Sequence, residues 1–446
     1  IESTYGKLNL VIWVETDGGG TYGASPGTIS TNGGHVWIGG GSGTSKWNGL
    51  TVGNGLSMSD GTANWNGMDL YRNITTSGGD ILLAADQGNS ASNPSIGAIN
   101  DMTLNAGSGN ITFLVRDANT FSYQSKTISI QTTGKFTIAP PTSENWASNI
   151  TWSGTTSSST FTGSGSIVGL IINNVANLGG LTLGQYSGTG VSGDTSYTSS
   201  NSKNITISSP ISIAGPIVLY GNDISLAANL TANGSNNPIS LYAKQSINTT
   251  VDNISVTASG GNILFASNIG GSGGSINLSK ANLISNGGSI TLGGGLDGTS
   301  YAVGTNADTS VPNYWGNTKY KGIFLNAVTL NAEGSSQGGN ISLKGQGWQG
   351  INPNNDGADF FSIGIDVVGY TSGTVIKTNG GGTISLDGVG GLNYDAQTHS
   401  VGINLYDGSG SSNSIYSVNG NITLTGAAGA AGAGTAARIR AGLNVD

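Results

Sequence analysis

GGTISL, Gly381–Leu386, is the phrase on which the architecture turns, because it returns along the chain. It reads GGDILL from Gly78, SGNITF from Ser108, GGNILF from Gly260, GGSINL from Gly273, GGSITL from Gly287, GGNISL from Gly338 and NGNITL from Asn419. KNITIS from Lys203, NDISLA from Asn222 and NPISLY from Asn237 are looser copies. In GGTISL, Ile384 and Leu386 face one way and Ser385 the other, the period-two pattern of a strand with one dry and one wet face. The glycines before it permit a tight corner, and Asn tolerates the left-handed backbone such corners use.

Recurrence of one strand-and-corner phrase predicts stacking of similar coils. Ile384, Ile403 and Ile422 follow one another at equal intervals, and the step from Ile254 to Ile276 is slightly longer. The step from KWNGLTV at Lys46 to NWNGMDL at Asn64 is slightly shorter. This drift suits a solenoid, whose corner loops lengthen without moving the strands. The expected fold is all-β, a parallel β-helix with coils of about 20 residues, each holding two or three short strands. Such a stack would hold about 22 coils over the whole chain. The Ala-rich run Gly426–Arg440 carries too many glycines for a stable helix and reads as loop or a frayed last coil.

Three regions differ in rhythm. Residues 1–138 read as a first solenoid segment opened by KLNLVIWVET. Residues 139–203 read as an irregular insertion or small β unit. There APPT (Ala139–Thr142) interrupts strand pairing, and Ser187–Lys203 has a linker composition. Residues 204–446 read as the most regular solenoid segment, with long loops near Gly293–Lys319 and Gln346–Phe360.

Composition narrows the function. The 446 residues include 77 Gly, only 9% charged residues and no Cys, which excludes collagen, disulfide scaffolds, zinc fingers and Cys nucleophiles. The net charge of −8 with 15 scattered Lys and Arg argues against nucleic acid and anionic membrane as partners. No apolar run is long enough to span a bilayer. Cys-free richness in Gly, Ser, Thr and Asn suits an exported bacterial surface protein.

The repeats GGNILF, GGSINL, GGSITL, GGNISL, GGTISL and NGNITL resemble those of the large bacterial surface adhesins of the filamentous haemagglutinin type. That resemblance implies a right-handed β-helix, secretion, surface display in adhesion or cell–cell contact, and a place within a much longer protein. The NPNG-type motif of the family's secretion domain is not found in this sequence. The expected role is therefore a secreted, elongated structural and adhesive protein, not an enzyme. Its partners would be a second copy of itself, head to tail or laterally, or a glycan or protein of a host or neighbouring cell.

Candidate site residues are few. Trp315 and Trp348 in the long loops, and Trp47 and Trp65 in the two WNG repeats, could stack on sugar rings; the WNG pair reads first as an internal aromatic ladder that stabilises the solenoid. Asn73, Asn110, Asn204, Asn253, Asn340 and Asn421 begin N-I-[ST] glycosylation sequons, although a corner Asn before a strand has the same letters. No catalytic residue, metal site or cofactor is expected, since His35 and His399 are far apart. A polysaccharide lyase or glycosidase would need two close carboxylates, and Asp387 and Asp407 are the best pair, each read as a turn residue before Gly. Asp356 and Asp359 could supply oxygen ligands to calcium, but the GGxGxD repeat is missing. Lys319 and Lys321 read as a solvated loop.

Overall fold

The computed structural model describes residues 1–14, 27–58, 67–86, 95–116, 121, 126–141, 146, 149–154, 158–163, 170–173, 175–189, 197–200, 203–305, 318–350, 360–370, 372–392, 398–408 and 411–429. They form two compact units, Ile1–Gly221 and Asn222–Asp446. Each is a parallel β-solenoid, and the one helical element among the described residues is the 3-10 turn Val175–Asn177.

The C-terminal unit winds strands into three parallel sheets. The first runs through Ile239–Ala243, Ile263–Ser267, Ile290–Gly294, Ile341–Gln346, Ile384–Val389 and Ile422–Ala427. The repeat's isoleucine stays in register throughout: Ile239, Ile263, Ile290, Ile341, Ile384 and Ile422 pair in succession. Leu241, Phe265, Leu292, Leu343 and Leu386 form the next dry column, all fully buried. The second sheet carries Ile224–Leu226, Ile247–Thr249, Ile276–Ser279, Ile323–Asn326, Phe360–Gly369 and Thr398–Asp407. The third carries Leu230–Ala232, Ile254–Ala258, Ala281–Ile284, Thr329–Asn331, Val375–Thr378 and Ser414–Ser417.

Coil length varies along the unit: the full turns from Ile224 to Ile247 and from Ile239 to Ile263 stay near the expected length. One full turn leads from Ile263 to its partner Ile290, and another from Ile384 to its partner Ile422. Ile403, midway between Ile384 and Ile422, belongs to the second sheet and pairs with Ile365. Likewise Ile254 lies in the third sheet and Ile276 in the second. Strands of different sheets share the Ile-polar-aliphatic phrase, so some intervals between phrases measure a step around the coil and others its full turn. Loops lengthen many coils, so the coils are fewer than expected.

The glycines have a specific task. In Ser285-Asn286-Gly287-Gly288 the Ser285 hydroxyl donates to the Gly288 carbonyl, and Asn286 and Gly287 take φ of 53° and 103°. Thr31-Asn32-Gly33-Gly34 repeats this corner in the N-terminal unit. The last glycine is needed for closeness, because a Cβ on Gly288 would overlap the backbone of Gly261, and one on Gly339 the backbone of Gly288. The residue after it often ties coil to coil: Asn262 Oδ1 accepts from Ser289 N at 2.9 Å and Asn340 Oδ1 from Thr383 N at 2.9 Å.

The N-terminal unit keeps the parallel ladders but interrupts them. Its first sheet runs Leu10–Trp13, Val36–Trp47, Ile81–Asp86, Ile111–Val115, Lys135–Ala139, Gly180–Leu183 and Ile217–Gly221. The strand Lys135–Ala139 stops where Pro140 and Pro141 remove two amide donors. In the second sheet, Ser158–Gly163 lies antiparallel between Leu170–Asn173 and Ile150–Gly154. One reversed strand restores the direction, and Ile150–Gly154 then pairs in parallel with Ile205–Ile207. Trp47 and Leu50 face each other across a two-residue Asn48-Gly49 turn, with φ of 47° and 78°. That WNG segment is a hairpin turn, not the coil corner of an aromatic ladder, because Asn-Gly favours the left-handed pair such turns require.

Candidate functional site

The expected sugar-stacking residues are dispersed. Trp47 is 7% exposed and packs with Trp37, Val52, Leu82, Ala84, Leu114 and Ala139 in the N-terminal core. Its ring faces protein, with His35 edge-on at 5.7 Å. Trp348 is partly buried against Tyr320, ring centres 5.5 Å apart. Trp65 and Trp315 lie outside the described residues, as do Asp356 and Asp359.

The sequon asparagines serve the corners in which they sit. Asn73 Oδ1 accepts from Thr103 N at 2.8 Å, and Asn110 Oδ1 from Lys135 N at 2.9 Å. Asn340 Oδ1 also accepts from the Thr383 hydroxyl at 3.1 Å. Asn204 donates its amide N–H to Asn149 Oδ1 at 3.0 Å. Asn253 holds a left-handed φ of 62°, and Asn421 is exposed ahead of the last strand. His35 belongs to the same system: its Nδ1 accepts from Asp80 N at 3.0 Å, which places the ring proton of the neutral form on Nε2. For His399 the backbone is described, paired with Phe361.

Asp387 and Asp407 are in different sheets. Asp407 closes its strand, with Oδ1 accepting from Asn413 N at 2.8 Å. Asp387 is a strand residue rather than a turn residue, flanked in register by Lys344 and Thr425. The DG pair does not turn there because Gly388 continues the ladder opposite Gly345. Tyr301 donates its hydroxyl to Asp387 Oδ2 at 3.0 Å, and Lys344 Nζ stands 3.8 Å from the same oxygen and 5.7 Å from the Tyr301 ring centre. Burial, then the Asp387 hydrogen bond and charge, raise the Tyr301 phenol above its usual range. This outward-facing group combines a phenol, an ammonium and a carboxylate on partly exposed side chains.

A second group is dry. Lys321, expected in a solvated loop, is 1% exposed, with its ammonium 2.5 Å from Asp366 Oδ2. Asn404 Nδ2 donates to Asp366 Oδ1 at 2.6 Å. Lys321 Nζ also lies 4.4 Å from the centre of the Phe324 ring. The second sheet builds this arrangement by register: Asn248, Asn277, Phe324, Asp366 and Asn404 occupy one column. Asn277 donates to Asn248 at 2.9 Å on the partly exposed part of the column, whereas Phe324, Asp366 and Asn404 are buried. Sequence reasoning missed the group, although one signal was present. GIFL (Gly322–Leu325), GIDV (Gly364–Val367) and GINL (Gly402–Leu405) are copies of one phrase, and only one carries a charge in its third position.

No family model, curated protein or solved structure matches this chain. Among the described residues no cluster of potential ligands could hold a metal ion. No described helix is long and apolar enough to cross a membrane.

Proposed function

We propose that this chain is a secreted structural and adhesive protein of the bacterial cell surface, an elongated scaffold of the filamentous haemagglutinin type that presents loops for contact. The observation that carries this reading is the unbroken register from Ile239 to Ile422, in which each coil is bound to the next by backbone ladders. A stack of this kind resists deformation along its axis because extending it breaks many parallel hydrogen bonds together. Electron microscopy and sedimentation of the purified chain test this: rods or concentration-dependent fibres are expected. Compact monomers at every concentration, together with no binding to cells or glycans, overturn it.

The Tyr301–Lys344–Asp387 group favours one second reading, polysaccharide recognition or cleavage on the outer face of the first sheet. A phenol and a carboxylate in contact can exchange a proton with a sugar, and an adjacent ammonium can hold an acidic group on it. Incubation with acidic polysaccharides, followed by reducing-end assay, tests it. Product that disappears in Asp387→Asn supports cleavage. Glycan binding that survives without product, and weakens in Trp348→Ala, supports a binding module.

A further inference from the structure

The buried group Lys321, Asp366 and Asn404 calls for an explanation beyond packing. Removing an ammonium and a carboxylate from water is unfavourable, and hydrophobic residues of similar volume often serve stability as well or better. The third member makes the arrangement specific. One carboxylate pairs ionically with an amine through Oδ2 at 2.5 Å and accepts a hydrogen bond from a carboxamide nitrogen through Oδ1 at 2.6 Å. An amine, a carboxamide and a shared proton acceptor are the components of amide exchange. All three side chains are at most 3% exposed.

We propose that Lys321 and Asn404 become joined by an intramolecular amide bond, with Asp366 moving the protons. Asp366 Oδ2 takes a proton from the Lys321 ammonium and frees the lone pair of Nζ. Nζ attacks Cγ of Asn404, and the new C–N bond forms. The carboxyl group of Asp366 then delivers its proton to Nδ2, the Cγ–Nδ2 bond breaks, and this nitrogen departs. One of the three ammonium hydrogens of Lys321 stays on the new amide and two leave with the departing nitrogen. The products are a secondary amide and one ammonium ion, Asp366 ends as it began, and nothing is oxidised or reduced.

The surroundings favour the step. The Phe324 ring, 4.4 Å from Lys321 Nζ, limits where the amine can sit. Lys321, just ahead of the strand Ile323–Asn326, and Asn404, on Thr398–Asp407, are held against the same carboxylate, which keeps amine and carboxamide together. The neutral Asn404 carboxamide is a better electrophile than the Asp366 carboxylate, which repels an electron pair. The product would tie the coil of Ile323–Asn326 to that of Thr398–Asp407 across the intervening coil of Phe360–Gly369.

The test is the intact mass of the purified full chain under denaturing conditions, followed by tryptic peptide mapping. The expected mass is that of the sequence less one ammonia, with one branched peptide joining Lys321 to Asn404 and no cleavage after Lys321. Asp366→Asn, nearly isosteric, should return the full sequence mass while circular dichroism keeps the wild-type β spectrum; Lys321→Met should do the same. A wild-type chain at full sequence mass overturns the proposal, and that measurement does not depend on any variant folding. Loss of one water with a branch at Asp366 also overturns it, since it makes Asp366 the electrophile. A wild-type ammonia loss that persists in folded Asp366→Asn overturns the role given to the carboxylate.

Discussion

The two units solve the same packing problem with different residues. The C-terminal unit fills its interior with columns that are aliphatic apart from Phe265, and every ladder between its described strands is parallel. The N-terminal unit breaks its ladders with the hairpin Val36–Trp47/Leu50–Gly55 and the reversed strand Ser158–Gly163, and adds rings to buried columns that are otherwise also aliphatic. Phe113 lies 5.6 Å from Phe121 and 5.5 Å from Phe136, while Trp37 and Trp47 share a core. Stacked identical coils need only a repeated small set of side chains. Where strands leave the stack, the cross-section changes from coil to coil, and large rings fill the uneven space.

The largest expected effect tests the glycine column. In Gly339→Val the new side chain meets the backbone of Gly288, which cannot rotate away. The C-terminal unit should lose about 4 kcal/mol or more in urea unfolding. Gly49→Ala in the N-terminal hairpin meets nothing within 4 Å but keeps a φ of 78°, and should cost only about 1–2 kcal/mol. Equal losses would mean that backbone conformation, not closeness of coils, explains the glycines. Next come the interiors: Phe113→Ala should cost about 4 kcal/mol and Leu292→Ala about 3 kcal/mol by calorimetry or denaturant titration. A smaller loss for Phe113→Ala would indicate that the N-terminal unit repacks more readily than the C-terminal columns.

Asn110→Ala and Asn340→Ala remove equivalent ties, one in each unit, and each should cost about 1 kcal/mol. A marked inequality would show that the polar ladder matters in only one. One effect is confined to alkaline pH. Burial, aided by the Asp80 charge, pushes the Tyr186 phenol from 10.0 up to about 12. The folded N-terminal unit keeps this proton after the unfolded chain has released it. Its contribution to stability is therefore complete below pH 10.0 and lost as pH rises to about 12. Unfolding followed over that window should show a decline that Tyr186→Phe reduces; an unchanged decline would assign it to other phenols.

Much of the fold was legible in the sequence. Alternation in GGNISL and GGTISL identified strands, and their preceding glycines marked corners, because both properties are local. Coil length was not, since Ile384 and Ile403 look alike yet belong to different sheets. Trp47 could not be assigned to core or surface from WNG alone, because a hairpin turn and a solenoid corner both accept Asn-Gly. Lys321 was misread for the same reason: a loop composition says nothing about what folds over it.

Residue order was enough to establish that the chain is built of strands, that its corners are tight and that its coils stack in parallel, because strand period and backbone freedom depend on neighbouring residues alone. Folding in three dimensions selected which strands meet, which tryptophan is buried, and that Lys321, Asp366 and Asn404 share one dry place. Register sets Asp366 beside Asn404, and the chain just ahead of Ile323–Asn326 brings Lys321 onto them; no local pattern records a separation as long as that between Lys321 and Asn404.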